Sequence, residues 1–214
     1  MKIVAFEFNY FGVNTYIVWD ETTREAAIVD PGMLNQNECD IFANFIKDNK
    51  LNVKYLINTH MHIDHVMGDD FVADKYNIGI SANKEDAFLG SGREMQAQMF
   101  HLRKVKTSPL KIEHQLKQGD KLFLGSEWLE IVEVPGHSPG SIALYSPSDK
   151  FIITGDALFN GSIGRTDLAG GDYSTLINNI KNNLLSLPPE TIVYPGHGPS
   201  TTIYKEKTQN PFLH

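Results

Sequence analysis

Asn58-Thr59-His60-Met61-His62-Ile63-Asp64-His65 closes the β-patterned run Val53–Asn58, and its reading decides the fold. In an extended stretch, residues two apart share a face, so His60 and His62 converge on one point. A helix is expected from Asp64 to Tyr76, which would present Asp64 and His65 from its first turn. One metal cannot take all four groups with good geometry. Two metals a few ångströms apart can, each receiving a pair.

Three further residues sit in the same kind of place, at a strand end beside glycine. His137 lies in Pro135-Gly136-His137-Ser138-Pro139-Gly140, after the run Leu129–Val134. Asp156 lies in Thr154-Gly155-Asp156, after Phe151–Thr154, and His197 in Tyr194-Pro195-Gly196-His197-Gly198-Pro199, after Thr191–Tyr194. Glycine belongs beside such residues because the backbone must turn sharply and come close to an ion. Imidazole and carboxylate donors suit zinc, iron or manganese, so donor type leaves the metal open. Five of the eight histidines are used in this way; His101, His114 and His214 lack the context and receive no role.

Outward from this centre, β-patterned runs at Lys2–Asn9, Thr15–Trp19 and Ala26–Val29 open the chain, the last ending in the turn Asp30-Pro31-Gly32. A helix is expected over Asn37–Lys50, with Ile41, Phe42, Phe45 and Ile46 on one stripe. The stretch from Asn83 to Thr107 leans helical and is interrupted by Gly90-Ser91-Gly92. It reads as an insertion over the site, whose Met95, Met99 and Phe100 either line a cleft or pack the insertion down. Strands return at Lys121–Leu124, Leu129–Val134, Ser141–Tyr145 and Phe151–Thr154, followed by a helix at Tyr173–Leu187 and a strand at Thr191–Tyr194. Both halves run strands then helices, without strict βαβ alternation, which suits an α/β (α+β) sandwich of two mixed sheets with helices outside. No linker, repeat or low-complexity tract divides the chain, and one domain is expected over 1–214.

Composition narrows the partners. The net charge of -7 disfavours a polyanion such as tRNA or DNA, so no nucleic-acid partner is expected. The basic stretch Arg103, Lys104 and Lys106, with Lys111 and Lys117 beyond, reads as a solvated face; its functional alternative is a rim that draws in a small anion. The lone Cys39 can form no intrachain disulfide and reads as a packing residue. The start meets Glu7 too soon for a signal peptide, and no apolar run approaches the roughly 20 residues of a membrane span. A cytoplasmic protein is expected, of open oligomeric state. The aromatic start (Phe6, Phe8, Tyr10, Phe11) is read as internal packing, with the site mouth or an interface as alternatives.

The order of these motifs resembles the metallo-β-lactamase superfamily over nearly the whole chain. That resemblance implies a four-layer αβ/βα sandwich. It also implies one metal on His60, His62 and His137, a second on Asp64, His65 and His197, and Asp156 bridging them. The block Gly155–Phe159, Gly161–Asp167, the Tyr-Pro-Gly-His-Gly-Pro run at 194–199 and the ending through Asn210-Pro211-Phe212-Leu213 are similar to the short, single-domain glyoxalase II-like hydrolases. The resemblance therefore implies hydrolysis of a small thioester of the glutathione type, with two divalent ions (zinc, or iron or manganese) activating a bridging hydroxide, and Asp64 and Asp156 in catalytic positions. Arg165 stands where a glutathione-binding lysine is expected; it either binds a substrate carboxylate or pairs with Asp167 or Asp172. Two expected tyrosines are Asp167 and Gly198, and the C-terminal helical domain of full-length glyoxalase II is not matched. True β-lactamases usually differ at the His65 and Asp156 positions. The alternative reading is a persulfide dioxygenase with one iron on His60, His137 and Asp156; a nucleic-acid-processing hydrolase is the third.

Overall fold

A computed structural model describes residues 1–103 and 105–214. One six-stranded sheet runs in the order β1 (Lys2–Phe8), β2 (Val13–Trp19), β3 (Glu25–Val29), β4 (Asn52–Ile57), β5 (Ile80–Ala82), β6 (His114–Gln115). Its first three strands pair antiparallel and the rest parallel. The second sheet is built from β7 (Lys121–Leu124), β8 (Glu127–Glu133), β9 (Ile142–Ser146), β10 (Phe151–Gly155), β13 (Ile192–Pro195) and β14 (Thr201–Thr202). Only the β10–β13 pair in it is parallel. A small hairpin of β11 (Leu158–Phe159) and β12 (Ser162–Ile163) follows β10.

Alternation along the strands builds the layers. Tyr16, Val18, Ala27 and Val29 face Leu129, Ile131, Leu144, Phe151 and Ile153 between the two sheets. Their neighbours Ile17, Ala26 and Ile28 point the other way, onto Phe42 and Ile46 of α1 (Gln36–Asp48) and Val72 of α2 (Asp69–Tyr76). On the far side, Val132, Ala143, Ile152 and Val193 meet Leu176 of α5 (Tyr173–Asn179), Ile180 and Leu184 of the π-turn that prolongs it, and Ile203 of α6 (Ile203–Gln209). A period of two thus gives each strand two apolar faces, and the result is the expected four-layer αβ/βα sandwich. The insertion carries the short helices α3 (Ala87–Ser91) and α4 (Arg93–Met99). Cys39 is buried, as its packing role requires, and no helix among the described residues is long and apolar enough to cross a membrane.

Two expectations change. The helix expected from Asp64 is split: Ile63–His65 form a single 3-10 turn, and α2 begins only at Asp69. The separation follows from Gly68, whose N–H donates to Pro31 O at 2.7 Å and pins the intervening loop to the end of β3. The aromatic start divides. Phe6 and Phe8 stack on each other and against Phe42, whereas Tyr10 is 84% exposed and Phe11 37% exposed on the β1–β2 turn. Of the basic stretch, Arg103 is exposed and Lys106 pairs with Asp70 at 3.0 Å; Lys104 lies outside the described residues.

Asn58 ties the 3-10 turn to α2, donating from Nδ2 to His65 O at 3.3 Å and to Asp69 Oδ1 at 3.1 Å. Asp69 is fully buried, and its Oδ2 has no hydrogen-bond partner. Burial holds this carboxyl well above the ordinary range, although the Asn58 bond and the Arg93 guanidinium pull it down. The folded chain therefore keeps the Asp69 proton at pH values where the unfolded chain, with its carboxyl near about pH 4, has lost it. Stability must fall as pH rises through that window. Asp69→Asn removes the dependence, so its thermal midpoint should gain on that of the wild type steadily from about pH 4 upward; a difference constant with pH would contradict the assignment.

Candidate metal centre

The loops at the strand ends bring all seven expected residues together. His60 Nε2, His62 Nδ1 and His137 Nε2 face one another, with His62 to His137 at 2.8 Å and His137 to His60 at 3.2 Å. Beside them, Asp64 Oδ2, His65 Nε2 and His197 Nε2 form a second triad, with separations of 3.2 Å (His65–His197), 3.2 Å (Asp64–His197) and 3.6 Å (Asp64–His65). Asp156 stands between the triads. Its Oδ1 lies 3.3 Å from His65 Nε2, and its Oδ2 lies 3.6 Å from His197 Nε2 and 3.7 Å from His137 Nε2.

These separations match the edges of a coordination shell. Zinc–nitrogen bonds of about 2.0–2.1 Å at tetrahedral angles place donor atoms roughly 3.4 Å apart. The tautomers agree. Thr59 Oγ1 donates to Asp30 Oδ2 at 2.6 Å, so it accepts from His60 Nδ1 at 3.1 Å. His65 Nδ1 donates to Asp30 Oδ2 at 3.0 Å, His137 Nδ1 to Arg165 O at 2.7 Å, and His197 Nδ1 to Phe11 O at 3.1 Å. Four imidazoles are thereby left with Nε2 as a bare lone pair aimed inward. Bare lone pairs at these distances repel, and Asp156 Oδ1 is buried with no hydrogen-bond partner. A cation relieves both conditions, so the donor set fits a pair of metal ions.

The electrostatics fit in the same way. Burial, reinforced by the surrounding imidazoles, holds His60 well below its ordinary range, and burial with His137 pulls His62 down to about 3. Burial alone would raise the Asp64 and Asp156 carboxyls, but the neighbouring imidazoles overcome it and keep both low. His65 goes up despite burial because Asp64, Asp156 and Asp30 surround it. The centre thus sets the neutral imidazoles of His60 and His62 beside the ionised carboxylates of Asp64 and Asp156, a donor set that suits divalent cations.

The backbone approach depends on Gly196. A Cβ there would run into Asp156 Oδ1 and come within 2.8 Å of His65 Cε1, so no larger residue fits between β13 and the centre.

Two residues that the sequence reading passed over hold the loops. Asp30, taken as part of a turn, is fully buried with φ 51°. It accepts from Thr59 N at 2.7 Å, Thr59 Oγ1 and His65 Nδ1, so it supports the donors from behind although His60 and His65 lie within reach of it. Asp86 accepts from Met61 N at 3.1 Å, Ser138 Oγ at 2.7 Å and Gly140 N at 2.6 Å, which staples the His60–His62 loop to the His137 loop. Arg165 is paired with Asp167 at 2.6 and 2.7 Å, the ionic alternative foreseen for it, while still lining the cavity. That cavity, about 200 Å³, opens over the donors and is walled by Phe11, Phe100 and Leu168 as well. Of the three insertion side chains singled out, Phe100 lines it and Met95 and Met99 do not.

Asp30→Asn tests the support role. Asparagine tolerates the positive φ, but its amide would face the His65 Nδ1 donor. Metal affinity measured against a competing chelator should fall roughly 10–100-fold with the fold intact; an unchanged affinity would refute the role.

The comparisons agree with this geometry. The metallo-beta-lactamase superfamily model matches residues 9–197. The hydroxyacylglutathione hydrolase GloC of Haemophilus influenzae is 38% identical over 100% of this chain and 98% of its own. Among solved structures, the BLEG-1 B3 metallo-beta-lactamase superposes with TM-score 0.89 at 32% identity, covering 99% of each chain. TTHA1623, solved in a di-iron-bound form, superposes with TM-score 0.86 at 33% identity over 98% of this chain and 100% of its own. On its sequence, its sandwich and its clustered histidines and aspartates, the chain belongs to the metallo-β-lactamase superfamily, a family of metal-dependent hydrolases.

Proposed function

We propose that the protein hydrolyses thioesters of the glutathione type at a two-metal centre. The observation that carries this reading is the seven-donor arrangement, with Asp156 within reach of both triads. The 38% identity to a hydroxyacylglutathione hydrolase, end to end, supports the thioester as substrate. In this reading His60, His62 and His137 would hold one ion, and Asp64, His65 and His197 the other, with Asp156 within reach of both triads. Ions so held supply a water activated at neutral pH and a Lewis acid for the acyl oxygen.

The chain's own residues do the positioning. Neutral His60 and His62 keep their lone pairs available to far below neutral pH. Asp64 reaches the cavity with its Oδ2 3.2 Å from His197 Nε2, which sets a carboxylate beside the point of attack. In the overall reaction water supplies the new acyl C–O bond, the C–S bond breaks, and the thiol leaves with the second proton. A thiolate is a good leaving group, so the reaction needs no dedicated general acid. The net charge of -7 argues against nucleic acid as the substrate.

The metal-loaded protein should turn over S-lactoylglutathione, with activity lost by several orders of magnitude in His62→Ala. Because a structural neighbour is a B3 metallo-beta-lactamase, a chromogenic cephalosporin belongs in the same assay and should be the poorer substrate. Failure on thioesters combined with oxygen uptake on glutathione persulfide would replace hydrolysis by dioxygenation.

A further inference from the structure

The wall of the cavity carries information that the metal centre does not. Phe11 and Phe100 come from the β1–β2 turn and the end of α4, and their rings meet over the centre at 5.8 Å and 81°, edge to face. Both are held in place from the side of the metal ligands. Asn9 Nδ2 donates to Asp64 O at 3.0 Å and to Gly32 O at 2.9 Å, while its Oδ1 accepts from Phe11 N at 2.9 Å. Phe11 O in turn accepts from His197 Nδ1. On the other side, Gln96 of α4 accepts from Ile63 N at 3.0 Å and donates to Leu89 O at 2.9 Å, and Phe100 packs on Ile63, Met67 and Ala97. The aromatic pair is thus fixed relative to the centre.

The charge on the opposite wall is already matched. Arg165 is the one cation among the described residues that line the cavity, and both its Nε and its Nη2 donate to the Asp167 carboxylate. Lys106 is engaged by Asp70 at a distance from the cavity. A substrate carboxylate entering the site would meet an Arg165 whose Nε and Nη2 are already paired with Asp167, whereas an apolar group meets Phe11, Phe100 and Leu168 with nothing to displace.

We propose that Phe11 and Phe100 are the specificity-determining wall of the site, and that it selects thioesters with an apolar acyl chain or ring over small hydroxylated or charged acyl groups. This rests on the thioester reading above. Apolar burial strengthens binding by about three- to fourfold per methylene.

The test uses S-acetyl-, S-butyryl- and S-hexanoylglutathione with the metal-loaded protein. In the wild type, kcat/KM for hexanoyl should exceed that for acetyl by roughly tenfold or more. That ratio should collapse toward one in Phe11→Ala and in Phe100→Ala, survive in part in Phe100→Leu, and persist in Arg165→Ala. Phe11 lies on an exposed turn, so its variant reads the wall even if Phe100→Ala fails to fold. A wild-type ratio near one, or a ratio unchanged in Phe11→Ala and Phe100→Leu, would overturn the proposal. Should no thioester be hydrolysed, the functional reading fails and the wall is read by calorimetry instead, with acetohydroxamate and hexanohydroxamate as metal-anchored probes. Tighter binding of the longer probe, lost in Phe11→Ala, supports the wall; equal affinities refute it.

Discussion

Like lone pairs crowded in a buried space dominate this structure. His62 Nδ1 and His137 Nε2 approach to 2.8 Å, and His65 Nε2 and His197 Nε2 to 3.2 Å, with two low-pKa carboxylates beside them. Nothing about such an arrangement is favourable in itself, so the rest of the fold has to enforce it. Asp30 fixes Thr59 and His65, Asp86 joins the His137 loop to the His60 loop, and Gly196 lets β13 close on Asp156. The apolar layers on both sides of each sheet supply the rigidity against which these loops are held. The donors are thereby held in a geometry that suits cations.

The donors were legible in the sequence because each one combines a metal-ligating side chain, a strand end and, for three of them, an adjacent glycine. That combination survives without knowledge of the fold. The long strands were legible for a similar reason: two-sided apolar runs such as Tyr16 to Val18 and Phe151 to Ile153 read clearly. What stayed hidden had no local signature. Asp30 in Asp-Pro-Gly has the composition of a turn, and the three bonds its carboxylate accepts appear only when β3, β4 and the 3-10 turn are assembled. Asp86 sits in a helix-leaning stretch 52 residues from its partner Ser138. Strands β5, β6, β11, β12 and β14 span two or three residues each, too short for alternation to register, and α6 escaped notice in a polar run. The helix placed at Asp64 came from reading a continuous pattern through Gly68, where the tertiary bond to Pro31 breaks it.

The centre and its surroundings divide the chemistry. The seven donors are shared in kind with a superfamily whose members act on varied substrates, so they speak to the reaction and little to the substrate. Selectivity has to come from the loops above: the β1–β2 turn with Phe11, the insertion with Phe100 and the segment carrying Arg165 and Leu168. All three are anchored to ligand-bearing loops by hydrogen bonds between a side chain and a backbone group, through His197, Ile63 and His137 respectively. Changes in these segments can therefore retune the mouth of the site while leaving the donors in register.

Metal stoichiometry tests the central claim most directly. Native mass spectrometry of the purified, metal-saturated protein should show two ions per chain, with Asp156→Ala retaining fewer under the same conditions. Two ions retained by Asp156→Ala with undiminished affinity would contradict a centre in which that carboxylate joins two triads.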